Sequence, residues 1–371
     1  MPDNVFDLRQ EVSEEHAPMS ALDELPLHQW SEQEMRFQST TDPRAYERYW
    51  FTAQDTTGDL YVVTGFGLYP NLRTVEAYSI VNLRGQHTTV RSHRRLKPSR
   101  ADMRVGPINF EPLQAFKEWR LTLDENEYGI SYDLRWSDTK RAILQPIRFL
   151  GGYESFGRPQ GVVTVKGERF EITPEAYNGS RDHHWGVRDG VGGLGHMLNP
   201  SGTSVTTGGV WVEFRDWSIW GNRVLYNLGD KHAGTGQIAR QERKLTFEED
   251  THIFSGGVVS VTFQGGETKE LRFRRLGQQS AYLRCGMYGG REGGTPNGNI
   301  WHGMYVGDNV VSGETYDTTK AEIRHLLAGA ADHHCEVTCD GEVAYGMFES
   351  HDPLTWEMCR DGRPGYALLS E

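Results

Sequence analysis

Cysteine is scarce in this chain: Cys285, Cys335, Cys339 and Cys359 are all it has in 371 residues, and all lie in the last quarter. So few, placed so late, exclude a disulfide scaffold and lead us to expect free thiols. Long apolar runs are missing too, and no segment reaches the length a bilayer-spanning helix needs. Positive charge is in deficit, with 39 Lys and Arg against 51 Asp and Glu for a net charge of -12, which argues against a nucleic-acid partner. The single basic run, Arg91 to Lys97, reads as a solvated strand end and turn. Met1 to Glu15 is polar and acidic and lacks the basic start and apolar core of a signal peptide, so the expected compartment is the cytoplasm. Helical patterns are sparse, confined to Ser31 to Phe37 and Thr319 to Leu327. Strands do not alternate with helices, which excludes a doubly wound fold and its nucleotide site.

Glycine is plentiful at 43 residues and proline adds 15, the composition of many tight turns between short strands. Trp119 to Leu123 and Tyr132 to Trp136 alternate apolar and polar side chains, as half-buried antiparallel strands do. Val162 to Ile172 and Val258 to Phe273 read as hairpins, with further strands at Leu60 to Gly67, Thr74 to Asn82, Val210 to Phe214, Arg223 to Leu228 and Glu342 to Phe348. The length suggests two domains, so the expectation is an all-β chain of two consecutive antiparallel barrels or sandwiches. Pro174 and Gly179 interrupt the strand pattern, which places the boundary between Ile172 and Ser180. The expected units are an extension over 1–40, a first barrel over 41–176 and a second over 177–371.

At that boundary the sequence is densest in chemistry. Asn178 to Asp189 holds Asp182, Asp189, His183, His184, Arg181, Arg188 and Trp185 around Gly179 and Gly186. Adjacent acids and imidazoles tune each other's pKa, and an indole supplies an apolar wall, so these are the ingredients of an acid/base site. A cleft between domains is a preferred ligand site. Downstream, Trp211, Glu213 and Arg215 alternate with Val210, Val212 and Phe214, giving one polar and one apolar strand face. Trp217, Trp220 and Tyr226 follow closely, an aromatic density that could wall a large apolar substrate and stabilise a developing cation.

The Asp182-His-His-Trp-Gly-Val-Arg188 segment, with Gly65 to Asn71, Gly106 to Glu111 and Gly346 to Glu349, resembles the tandem lipocalin-like family related to carotenoid hydratases, lipocalin-type Diels-Alderases and terpenoid-modifying enzymes. The resemblance runs from about Tyr46 to Glu349 and implies two consecutive lipocalin-like β-barrels with few short helices. Hydratases of this family use a histidine and a tryptophan two positions apart, matched by His183 and Trp185 within His183-His184-Trp185. They also use an aromatic and an acid two apart on the next strand. The nearest match is Trp211-Val-Glu213, with tryptophan for tyrosine and glutamate for aspartate.

The expected activity is that of a lyase or isomerase without organic cofactor. It would hydrate, dehydrate, isomerise or cyclise a large unsaturated isoprenoid, steroid or polyketide between or inside the barrels. Asp182, His183, His184 and Glu213 are the expected catalytic groups. Trp185, Arg188, Trp211, Trp217, Trp220, Tyr226 and Trp301 are expected to meet the substrate. A noncatalytic carrier of lipophilic ligands is the alternative. A metal held by His183, His184, His196 and Glu213, or by His333, Cys335 and Cys339, is disfavoured, because vicinal histidines on a strand face opposite ways and a zinc ribbon needs a second cysteine pair. The expected partner is a lipophilic small molecule, and the chain is compatible with a homodimer. His302 reads as structural, and Ser350-His351-Asp352 lacks the glycines of a serine elbow.

Overall fold

The computed structural model describes residues 21–26, 40–97, 102–140, 143–144, 150–193, 207–221, 223–228, 231–288 and 300–369. His196, the Ser31 to Phe37 pattern and the side chain of Tyr226 lie outside what is described.

Tyr177–Val187 is a strand whose side chains alternate between two faces. It pairs antiparallel with Ala45–Asp55 on one side and Leu150–Val165 on the other. Residues 177–187 thus share a sheet with strands from 45–165. In spatial order the first sheet runs Val310–Asp317, Gln86–Arg95, Thr74–Leu83, Leu60–Tyr69, Ala45–Asp55, Tyr177–Val187, Leu150–Val165, Ile130–Asp138, Glu118–Leu123, Ile108–Gln114 and Arg104–Val105. Its first strand comes from far along the chain and covers the edge of Gln86–Arg95.

The second sheet runs Arg223–Leu228, Trp217–Trp220, Gly209–Glu213, Glu342–His351, Ala330–Cys339, Thr268–Tyr282, Phe254–Phe263 and Lys231–Phe247, with Tyr366–Leu368 added parallel to the last of these. Lys231–Phe247 also pairs with Arg223–Leu228, which brings the ends of the sheet together into a barrel. The fold is all-β, two consecutive lipocalin-like antiparallel barrels with two short helices among the described residues, Ala321–Leu327 and Asp352–Arg360. The first of these helices falls in the segment that the sequence pattern marks.

Each barrel is filled by its own side chains. Tyr49, Phe51, Phe66, Phe110, Trp119 and Trp136 pack inside the first, and Phe214, Phe254, Phe273 and Phe348 inside the second. Burying a side chain of this kind contributes roughly 1.5–3 kcal/mol, so packed interiors are a stability device rather than a ligand chamber. Space for a ligand is instead to be sought between the barrels. There Trp50, Tyr61, Val63, Tyr78 and Ile80 of the first sheet's outer face meet Ala281, Leu283, Met287, Tyr288, Ala330 and Met347.

Candidate active site

Strand register builds the polar part of this seam. Outward side chains of neighbouring strands line up as Tyr78, Gly65, Trp50, Asp182 and Glu154 in one row. Glu76, Gly67, Arg48, His184 and Gly152 form the next. The glycines leave room for the larger neighbours: a Cβ on Gly65 would lie 2.5 Å from the Tyr78 ring, and one on Gly152 would lie 2.0 Å from the His184 ring. From the second barrel, paired Asp332 and Glu349 and the neighbouring Trp211 point back at this surface.

His184 stands between two acids. Its Nδ1 is 3.5 Å from Asp182 Oδ2 and its Nε2 is 3.7 Å from Glu154 Oε1. The side chains of His184 and Asp182 keep 24% and 26% of their exposure at this seam, while Glu154 keeps 7%. The Glu154 carboxyl also accepts the indole N–H of Trp211 at 3.1 Å. Arg48, almost fully buried, donates to the Tyr288 hydroxyl at 2.6 Å and lies 5.0 Å from the centre of that ring. Arg188 approaches the same ring to 5.4 Å.

Crowding carboxyl groups out of water raises the proton affinity of the most buried ones. Burial, then repulsion from Asp182 and Glu349, raises Glu154 well above the ordinary carboxylate range. Burial, then repulsion from Glu349 and Asp182, does the same for Asp332, with Trp50 and Arg48 pulling the other way. His184 moves oppositely: burial lowers it, and nearby Arg188 and Arg48 add to the fall against the pull of Asp182. The result is proton-holding acids beside a neutral imidazole, the division of labour that general acid/base chemistry requires. At the far end of the second row, Glu76 accepts from Tyr69 Oη at 2.5 Å and from the Gly303 amide at 3.0 Å, with His302 Nδ1 at 2.6 Å. Burial pushes Glu76 up to about 8.

The residues expected from sequence divide in two. Asp182, His184, Trp211 and Arg188 come together at the seam, and Trp220 packs beside it against Phe156 and Trp211. His183 and Trp185 do not, since strand alternation turns them into the first barrel. His183 stacks on Tyr49 at 3.9 Å with its Nε2 2.9 Å from Glu47, and Trp185 packs with Tyr153, Ala21, Ala115 and Phe116. Trp217 belongs to the second barrel's core, stacked on Phe214 at 4.7 Å. Trp301 is buried and bridges Tyr288, next to His302.

Glu213 stands apart from the His184 group. It points the same way as Trp211 but sits further along the seam, in a cleft of about 430 Å³. There it is ion-paired with Arg158 and Lys140 and accepts from the Thr139 hydroxyl at 2.7 Å. Its carboxyl oxygens are thus committed to these partners rather than to the His184 group. Sequence reasoning missed Glu154, Asp332, Arg48 and Tyr288 as members of the site. The signal lay in register, which local patterns do not reveal.

Among the described residues no group of three or more His, Cys, Asp or Glu side chains could hold a metal ion. His333 is bonded to Asp352 and Ser280, and burial raises the Cys335 thiol far above its usual range, which opposes the thiolate a metal would need. All four cysteines are free and buried. No described helix is long and apolar enough to cross a membrane.

Residues 19–351 match a single family along almost the whole of this fold. The chain belongs to the Family of unknown function DUF8625. No curated protein matches this DUF8625 chain. Among solved structures it is similar to kievitone hydratase from Nectria haematococca, at 11% identity and a TM-score of 0.45 over 84% of this chain and 90% of that one. It is also similar to CghA, at 11% identity and a TM-score of 0.48 over 86% and 92%, and to CghA with Sch210972, at 12% identity and a TM-score of 0.47 over 83% and 88%.

Proposed function

We propose that this DUF8625 protein is an acid/base lyase or isomerase that transfers protons on a large, mainly apolar, unsaturated small molecule lodged between its barrels. Hydration or dehydration, isomerisation and cyclisation share this need, and isoprenoids, steroids and polyketides share this character. The observation that carries the reading is the imidazole of His184 held between Asp182 and Glu154, with Asp332 nearby, in surroundings that push acid and base apart. Glu154 or Asp332 gives a proton to the substrate, and His184, oriented by Asp182, takes one from it or from water. Trp50, Trp211 and Tyr78 supply the apolar wall and π faces for a cationic centre. Arg48 and Arg188 supply fixed positive charge for an oxygen substituent.

Incubation in D2O with panels of isoprenoid, steroid and polyketide alkenes and alcohols tests this. Deuterium should enter the product with wild-type protein and not with Glu154→Gln or His184→Ala. Recovery of every bound compound unchanged, with no exchanged hydrogen, would overturn the reading in favour of a carrier.

A further inference from the structure

The inner face of Tyr177–Val187 carries a second constellation that the proposed reaction does not use. Arg181, His183 and Trp185 alternate there with the outward Asp182 and His184. Into this group reaches Glu24, from the short 3-10 turn Ala21–Glu24, which belongs to neither sheet. Its Oε2 accepts the Trp119 indole N–H at 2.7 Å. Its Oε1 accepts from Arg181 Nη2 at 3.2 Å and is bonded to the Tyr153 hydroxyl. The Tyr49 hydroxyl donates to the Glu24 backbone carbonyl at 3.0 Å. Glu24, Tyr49, Trp119 and Tyr153 are wholly buried and Arg181 is 1% exposed.

The four donors come from four strands of the first barrel, and the acceptor comes from none of them. Such a barrel end could be closed by apolar side chains with no loss of stability, because buried ionic groups seldom outperform well-packed hydrophobic ones. Here an indole, a phenol and a guanidinium converge on one carboxyl group instead, the arrangement of a carboxylate receptor. Arg181 is itself held in place by Asp138 through bonds of 2.8 and 2.7 Å, so the second Nη2 hydrogen is pre-aimed at Glu24. Ala115, Phe116 and Trp185 form an apolar collar around the Ala21 end.

We infer that the end of the first barrel is a binding site for a short monocarboxylate, built by Trp119, Tyr153 and Arg181, and that Glu24 is its tethered occupant. The ligand must be short because Phe51, Trp119 and Trp136 fill the barrel beneath it. A ligand confined to the space of the Glu24 carboxymethyl group is a one- or two-carbon acid.

Glu24→Ala deletes the methylene and carboxylate whose atoms are those of acetate. The variant should lose about 5 °C or more in Tm relative to wild type. Sodium acetate should restore it saturably, with a half-effect in the millimolar range, and sodium chloride at equal ionic strength should not. Wild type and Glu24→Gln, whose side chains occupy the site at the high effective concentration of a tether, should gain nothing from acetate beyond the chloride control. Adding Trp119→Phe to Glu24→Ala should raise the half-effect concentration by about tenfold through the lost donor. Equal rescue by chloride, equal stabilisation of wild type by acetate, or a Glu24→Ala protein as stable as wild type would each overturn the inference. If Glu24→Ala fails to fold in chloride, recovery of folded protein on refolding in acetate supports it, and failure in both salts overturns it. Stability is the readout throughout, so the outcome is independent of whether the seam between the barrels is catalytic.

Discussion

Two imidazole and carboxyl groupings in this protein differ in a way that separates chemistry from architecture. In the second barrel, His333 Nε2 is 2.9 Å from Asp352 Oδ1, its Nδ1 is 2.8 Å from the Ser280 hydroxyl, and Ser350 donates to the same carboxylate at 2.6 Å. That constellation has the composition of a hydrolytic triad and short bonds, yet every member is fully buried behind Phe254 and Phe348. At the seam, His184 is 3.5 and 3.7 Å from its acids and keeps a quarter of its exposure. The tightly bonded group is closed off from solvent, whereas the loosely bonded one keeps part of its surface exposed. Short bonds inside a fully buried group suit a structural network, and longer contacts on a part-exposed imidazole suit a reactive one.

The sharpest way to break this comparison is to remove an acid from each group. Glu154→Gln should lower turnover by roughly 10²–10⁴-fold while leaving the denaturation midpoint close to wild type, read by deuterium incorporation and by guanidinium titration. Asp352→Asn should do the reverse, costing about 3–5 kcal/mol of stability by the same titration because it strands a buried His333.

The pH dependence of stability should also differ in sign between the two regions. Glu76, at about 8 in the folded protein against 4.5 unfolded, and the raised Glu154 and Asp332 stabilise the fold while all are protonated. Their contribution is present below the unfolded value and lost as pH rises through the folded one, at roughly 1.4 kcal/mol per pH unit for each group protonated only in the folded state. Between pH 7 and 9 the unfolding midpoint should therefore fall, and Glu76→Gln should flatten that slope. Asp352 is held below 3.8 by His333, so its contribution is present at neutral pH and lost only as the solution becomes strongly acid.

Smaller effects refine the boundary of the reactive group. Gly152→Ala places a Cβ 2.0 Å from the His184 ring and 2.7 Å from the His183 carbonyl oxygen, so the imidazole must shift. Turnover should drop about tenfold or more, since even a 1 Å misplacement is costly. Glu213→Gln should change turnover by less than about threefold, because its carboxylate is committed to Arg158 and Lys140; a loss as large as that of Glu154→Gln would return Glu213 to the catalytic group.

The strands were legible because each barrel wall has one packed and one differently lined face, so alternation marked Trp119 to Leu123, Tyr132 to Trp136 and the two hairpins. Alternation also foretold that His183 and His184 would face opposite ways. It could not foretell which of them faces the seam, because both surroundings are polar. Glu154 sits among Gly151, Gly152 and Gly157, where no apolar period exposes it. Asp332 immediately precedes His333 and His334, and nothing in the local pattern sets it apart. Glu24 lies in a segment with no strand pattern at all. Pairing between distant segments, above all Val310–Asp317 with Gln86–Arg95, leaves no mark in local sequence.

That distant strand has a consequence for how the chain is made. Until the ribosome has passed Asp317, Gln86–Arg95 is an open edge with a row of unmet amides and carbonyls, the kind of surface that recruits strands from other chains. The first barrel thus emerges complete in its core but unsealed, and the second half of the chain must deliver the seal. A fragment that stops before Val310 should be sticky rather than merely smaller, and the two barrels are for that reason one folding unit in time as well as in space.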